Sequence, residues 1–130
     1  MQLEILFQTY IQNQQLEEFI ACSLNVNLNM IEDIEKTKPS VKADSKRVYY
    51  SITELGHGYK YIFELFFNNP NARCKSDLSL ARYFNSYFNQ PVLISTDSIN
   101  PYEWLLVQKE NEKIVFQEVR EDDSVIIQGF

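Results

Sequence analysis

The stretch RVYYSITELGHGYKYIFELFF, residues 47–67, decides the fold because two β-type segments flank a glycine-containing turn. Val48–Thr53 is rich in β-branched and aromatic residues, which is typical of strands. Gly56-His57-Gly58 supplies the turn, and Tyr59–Phe67 then places a large apolar side chain at every second position. The stretch therefore predicts a long antiparallel hairpin whose returning strand buries one face.

The segment before this hairpin has helical spacing of its apolar residues. Three groups follow the helical period: Leu3, Leu6, Phe7, Tyr10 and Ile11; Leu16, Phe19, Ile20 and Leu24; and Met30, Ile31 and Ile34. The second group is either a separate short helix or a continuation of the first. We therefore expect N-terminal helices that end before Pro39, because the residue before proline disfavours helix, and then an exposed loop over residues 39–46.

After the hairpin, the sequence predicts one helix and four short strands. Ser76 or Asp77 can cap a helix over about residues 77–89, which Gln90-Pro91 ends. The strands are expected at residues 92–95, 104–108, 113–119 and 124–128. The fold class is α+β: N-terminal helices, then a mainly antiparallel sheet of about six strands with one helix inserted between strands 2 and 3. Residues 1–130 are expected to form a single domain.

Composition favours a folded protein that does not enter a membrane. The chain has 130 residues, of which 45% are hydrophobic and 14% aromatic, and this excludes a disordered chain. No apolar run approaches the roughly 20 residues of a membrane span. Met1–Glu4 lacks the basic residues that begin a secretory signal. We therefore expect a cytoplasmic protein with no membrane partner.

The charge is distributed unevenly along the chain. The net charge is −6, with six acids and no Lys or Arg in residues 1–35, and seven acids against three bases in residues 101–130. Residues 36–47 instead carry five bases and one acid, but no aromatic residue that could stack on a base. An acidic surface repels nucleic-acid phosphates and attracts a basic protein. The expected partner is therefore a basic protein, with no nucleic acid involved.

The sequence offers little catalytic chemistry. His57 is the only histidine and lies in the glycine turn, away from any evident nucleophile or carboxylate that would make it a general base. The two cysteines are isolated: Cys22 is expected to be a buried helix thiol, and Cys74 a loop thiol. A zinc site needs several such ligands at short spacing. We therefore expect no enzyme, no cofactor and no metal.

Two segments near the C-terminus are candidates for contact with a partner. The acidic cluster around residues 118–123 is either a solvated turn or a patch for Lys and Arg of another protein. The segment 97–104 is either a turn braced by Asp97 and Asn100, with Trp104 in the core, or a binding loop with an aromatic anchor. The candidate partner-binding residues are Asp97, Tyr102, Glu103, Glu118, Glu121, Asp122 and Asp123.

Residues 76–128 resemble small bacterial immunity proteins. The resemblance is carried by a helix ending near Asn89, the strand Pro91–Ser95, an Asp-containing turn, the segment Asn100-Pro101-Tyr102-Glu103-Trp104-Leu105-Leu106-Val107, and a terminal acidic hairpin. Proteins of this kind are the cognate inhibitors of polymorphic toxins, including those of contact-dependent growth inhibition systems. The resemblance implies a cytoplasmic protein that binds a toxin, often a basic nuclease, and occludes its active site.

Other interpretations fit the same sequence. A general protein-interaction or regulatory inhibitor module, such as a phage-type inhibitor or an adaptor, would also be small, acidic and rich in tyrosine. A small-ligand-binding domain or enzyme is a further alternative, for which a deep polar pocket would be the sign. We expect a monomer or weak dimer in each case.

Overall fold

The chain folds as a mixed sheet with helices on one face. The computed structural model describes residues 1–35, 47–68, 72–109 and 111–129. Within these residues there are seven strands, two α-helices and a short 3-10 turn: β1 (Gln2–Phe7), α1 (Asn13–Leu24), the 3-10 turn (Leu28–Met30), β2 (Ile31–Asp33), β3 (Val48–Glu54), β4 (Tyr61–Phe66), α2 (Asp77–Phe88), β5 (Val92–Ser95), β6 (Glu103–Gln108) and β7 (Asn111–Phe116).

The strand order is β2-β3-β4-β1-β5-β6-β7, so the first strand of the chain lies at the centre of the sheet. All neighbouring pairs are antiparallel except β2 and β3, which are parallel. The α+β class is as expected from the sequence. The expected arrangement of N-terminal helices followed by about six strands is wrong, because a strand comes first and the sheet has seven strands.

The N-terminal segment is a strand because its apolar side chains serve both faces of the sheet. Leu3, Ile5 and Phe7 point towards the helices, and Leu6 packs on the opposite face. A central strand buried on both sides reads as a short continuous apolar run, which periodicity alone cannot distinguish from a helix. The helical spacing also counted Tyr10, which is exposed after the strand has ended.

The next segment agrees with the sequence in part. The stripe that starts at Leu16 forms α1, which ends where Asn25 adopts the left-handed conformation (φ 55°). The helical turn expected around Met30–Ile34 is wrong, because residues 31–33 form the edge strand β2 beside β3. The loop expected at residues 39–46 lies outside the described residues.

The predicted hairpin is confirmed. β3 and β4 pair antiparallel from Tyr49 opposite Phe66 to Glu54 opposite Tyr61. Tyr61, Phe63 and Leu65 alternate with less buried residues and face the helices. Tyr59 was expected to share this face but packs on the opposite side of the sheet, because the chain between the two strands turns over that side.

The helix α2 is also confirmed, and its start has a local cause. Ser76 Oγ accepts a hydrogen bond from the Ser79 N–H at 3.1 Å, and Ser79 Oγ accepts one from the Ser76 N–H at 3.1 Å. This reciprocal capping satisfies backbone donors that a helix start leaves unpaired. At the other end, Asn89 adopts the left-handed conformation (φ 53°) and terminates the helix.

The main core, between the helices and the sheet, is built largely from aromatic rings. Phe19 of α1 is fully buried, and its ring centroid lies 5.2–5.5 Å from those of four α2 side chains, Tyr83, Phe84, Tyr87 and Phe88. Phe84 in turn lies 5.0 Å from Phe7 of β1. Edge-on and tilted ring pairs of this kind stabilise a core beyond the burial of their area.

A smaller second core lies on the opposite face of the sheet. It contains the buried residues Leu6, Tyr59, Leu93, Leu106, Val115, Val125 and Ile127. The prediction of a strand at residues 124–128 is wrong. This segment makes only two isolated bridges, Gly58 with Val125 and Gln117 with Ile127. The C-terminal segment therefore joins the β3–β4 turn to the end of β7 and closes the second core.

Gly58 makes this closure possible. Its φ is +79°, and a Cβ there would lie 2.3 Å from the Val125 carbonyl oxygen. The close approach permits the Tyr59 N–H to donate to that oxygen at 2.9 Å. Only glycine combines the left-handed conformation with such a contact at low cost.

We predict that Gly58→Ala destabilises the protein by about 3 kcal/mol, from left-handed strain plus a backbone clash. Gly129→Ala is the matched control, because Gly129 has a φ of +81° but no atom within 4 Å of an added Cβ. It should cost only the strain of about 1 kcal/mol. Urea unfolding of both variants measures the difference, and equal losses would show that the Gly58–Val125 contact is unimportant.

Candidate protein-binding surface

The strand β7 leaves large apolar side chains in solvent. Ile114 is 51% exposed and Phe116 is 43% exposed, whereas Val115 between them is buried in the second core. Both exposed residues lie on the helix side of the sheet. They are exposed because α2 packs mainly on β1, β5 and β6 and reaches β7 near its start, where Arg82 pairs with Glu112.

Glu103 of β6 lies beside this apolar pair. In the register of β6 and β7, Glu103 is opposite Phe116, and Leu105 is opposite Ile114. The Glu103 carboxylate is half-buried and accepts a hydrogen bond from Thr96 Oγ1 at 2.6 Å. The structure therefore places one predicted site residue against two that the sequence did not single out.

The loop before β6 is a braced turn. Asn100 Oδ1 accepts a hydrogen bond from the Tyr102 N–H at 3.0 Å, as expected for a turn stabilised by Asn100. Trp104 packs against the second core and donates from Nε1 to Gln117 Oε1 at 2.6 Å. Tyr102 and Asp97 are exposed. The Gln117 N–H donates to the Tyr102 carbonyl oxygen, which holds Tyr102 next to Gln117.

The acidic turn, residues 118–123, contains its own base. Arg120 lies 3.2 Å from Glu118 and 3.5 Å from Asp122. The Ser124 N–H donates to Asp122 Oδ1 at 3.1 Å, and this bond, together with Arg120, lowers the pKa of the Asp122 carboxyl. Glu121 and Asp123 are exposed. The sequence counts Arg120 among the three bases of residues 101–130, but only the structure shows which two acids it partly neutralises.

The C-terminal segment covers only one end of the β7 edge. The Gln128 N–H donates to the Phe116 carbonyl oxygen at 2.8 Å, and the Glu118 N–H donates to the Ile126 carbonyl oxygen at 2.7 Å. Within the described residues, β7 is the last strand of the sheet. We call Glu103, Ile114 and Phe116 the β7 surface. The acidic turn leads from the end of β7 to the β3–β4 turn, where Ser124 Oγ accepts a hydrogen bond from the His57 backbone N–H.

Other parts of the molecule offer less chemistry. His57 is exposed, and its backbone N–H donates to Ser124 Oγ at 2.8 Å. The described residues contain no group of three or more His, Cys, Asp or Glu arranged to hold a metal, and none of their helices is long and apolar enough to cross a membrane. A groove of about 360 Å³ on the second-core face, between Tyr59, Leu106 and Ile127, has no carboxylate in its described lining.

The two cysteines are placed in the opposite way to the expectation. Cys22 is exposed on α1, because the buried stripe of that helix runs through Phe19, Ile20 and Ser23. Cys74 is buried before α2, and this burial raises the pKa of its thiol.

No protein-family model, no curated protein and no solved structure matches the chain.

We predict that Ile114→Thr leaves stability nearly unchanged, whereas Val115→Thr lowers it. Thr retains the branched shape in both cases, but only at position 115 is its hydroxyl buried, at a cost of about 1–3 kcal/mol. Thermal unfolding of the two neighbouring variants measures the contrast. A similar loss at both positions would mean that Ile114 stabilises the fold and is not free to contact a partner.

Proposed function

We propose that this chain is a cytoplasmic inhibitor of the immunity type, which binds a basic protein toxin through the β7 surface and occludes the toxin's active site. The observation that carries the proposal is the exposure of Ile114 and Phe116 beside Glu103. Large apolar side chains surrounded by polar groups are the usual centre of a protein interface.

The acidic turn supports a basic partner through attraction at a distance, although it leads from β7 towards the β3–β4 turn. The acidic turn follows β7 directly, and Glu121 and Asp123 are exposed there. Arg120 offsets Glu118 and Asp122, so the exposed pair contributes most to attraction at a distance. Carboxylates at the rim of an interface mainly raise the rate of association and its dependence on salt.

The end of β7 at Phe116 is poorly suited to pairing with a second copy of this chain. A symmetric antiparallel pairing centred on Ile114 would need the Phe116 carbonyl, to which Gln128 is already bonded. This supports a monomer that binds a heterologous partner.

The test is co-expression with the product of the neighbouring gene, followed by co-purification and a toxicity-rescue assay. The chain should protect cells and form a 1:1 complex. The double variant Ile114→Asp/Phe116→Asp should weaken binding by about 100-fold, the size of a hot-spot loss, and abolish rescue. Leu28→Asp is the control, because Leu28 is exposed on the 3-10 turn, away from β7. It should bind and protect like the wild type.

The outcomes separate the alternatives. Absence of both complex and rescue would reject the immunity function. A complex with a non-toxic neighbour would favour a regulatory inhibitor or adaptor that uses the same surface. Full rescue by the double variant would remove the β7 surface from the mechanism and leave the inhibitory function intact.

A further inference from the structure

The helix pair carries a second surface of mixed aromatic and acidic character. Tyr83 and Tyr87 are one turn apart on α2, with ring centroids 6.1 Å apart. Both rings lie on Phe19 of α1: Tyr83 stacks at 5.5 Å, and Tyr87 meets it edge-on at 5.3 Å. Phe19 is fully buried, whereas Tyr87 is 44% exposed. A buried ring therefore fixes two others at the surface.

An acidic residue of α1 borders these rings. Glu18 is adjacent on α1 to Phe19, whose ring meets Tyr87, and lies one helical turn from Cys22. Burial raises the pKa of the Tyr87 hydroxyl, and Cys22, Glu18 and Tyr83 raise it further. Glu18 is exposed. The neighbouring Glu17 points towards β3 instead, where its carboxylate accepts a hydrogen bond from the Tyr50 hydroxyl at 3.1 Å. We call Glu18, Tyr83 and Tyr87 the aromatic–acid cluster.

The charge of the two helices favours a cation from another molecule. Helix α1 contains two glutamates and no Lys or Arg. Arg82 of α2 is adjacent in sequence to Tyr83, but its guanidinium is paired with Glu112 of β7. Electron-rich ring faces attract cations, and a planar guanidinium can stack on tyrosine while it donates hydrogen bonds to a carboxylate.

We propose that the aromatic–acid cluster is a binding site for an arginine side chain of a protein partner. The guanidinium stacks on the exposed Tyr87 ring beside Tyr83 and pairs with Glu18, and Phe19 keeps the two rings in place. The site lies on the helices and does not depend on the β7 surface or on the partner being a toxin. In a complex it would provide a second, separate anchor.

The test is a titration of the isotope-labelled protein, followed by NMR, with the peptide acetyl-Gly-Arg-Gly-amide. The matched probe replaces arginine by citrulline, which has the same shape and hydrogen-bonding plane but no charge. The arginine peptide should produce saturable shifts in the Tyr87 and Tyr83 rings and at Glu18. The citrulline peptide should produce none at equal concentration and ionic strength.

Variants assign the site. Tyr87→Leu and Glu18→Gln should each weaken the arginine peptide about 3-fold, as expected for one exposed cation–π contact or one exposed ion pair. Tyr87→Phe retains the ring and should retain binding. Tyr10→Leu is the control, because Tyr10 is an exposed tyrosine on the chain after β1. It should bind like the wild type, and unchanged resonances of Leu93 in the second core confirm the fold of each variant.

Three results would overturn the proposal: equal shifts with citrulline, unchanged affinity in both Tyr87→Leu and Glu18→Gln, or shifts confined to the acidic turn. The last of these would place the arginine at Glu121 and Asp123, away from the aromatic–acid cluster. The peptide titration and the toxicity-rescue assay with the β7 variants report on different residues, so either proposal can fail while the other stands.

Discussion

The rest of the structure depends on the insertion of β1 between β4 and β5. This strand pairs with β4 along its whole length, from Gln2 opposite Phe66 to Phe7 opposite Tyr61, but with β5 only at Leu6 and Phe7. Where β5 diverges, Asp77 of α2 accepts a hydrogen bond from the Glu4 N–H at 3.0 Å. Thus the first strand unites the two halves of the sheet, and α2 is tied to it where a strand neighbour is missing.

This central strand also determines which surfaces remain open. Because α2 docks over β1, β5 and β6, it leaves Ile114 and Phe116 of β7 in solvent. The same docking brings Tyr83 and Tyr87 against Phe19 of α1. On the other face, the C-terminal segment covers the second core and reaches the end of β7 at Phe116. Both proposed binding surfaces are therefore consequences of how far the helices and the C-terminal segment extend over one sheet.

The sequence predicted the elements whose signals are local. Alternating apolar residues and a glycine turn predicted the β3–β4 hairpin, and a capping residue at Ser76 or Asp77 predicted α2. It could not predict β1, because a strand there buries Leu6 on one face and Leu3 and Phe7 on the other. That double burial exists only once the strands on both sides and the second core are in place. Of the candidate β7 surface, the sequence singled out Glu103, because the segment 97–104 combines turn residues, acids and aromatic residues. Ile114 and Phe116 were missed, because an apolar strand residue is normally buried and only the limited reach of α2 exposes these two.

The position of β1 is the claim on which this account depends, and NMR of the intact chain tests it most directly. The account predicts cross-strand nuclear Overhauser contacts between Ile5 and Phe63 and between Leu6 and Leu93, which are opposed in the sheet. It also predicts that the backbone amides of Ile5–Phe7 are among the slowest to exchange with solvent, as expected for the interior of a sheet. Helical contacts between residues three apart in Leu3–Ile11, with rapid amide exchange, would contradict it.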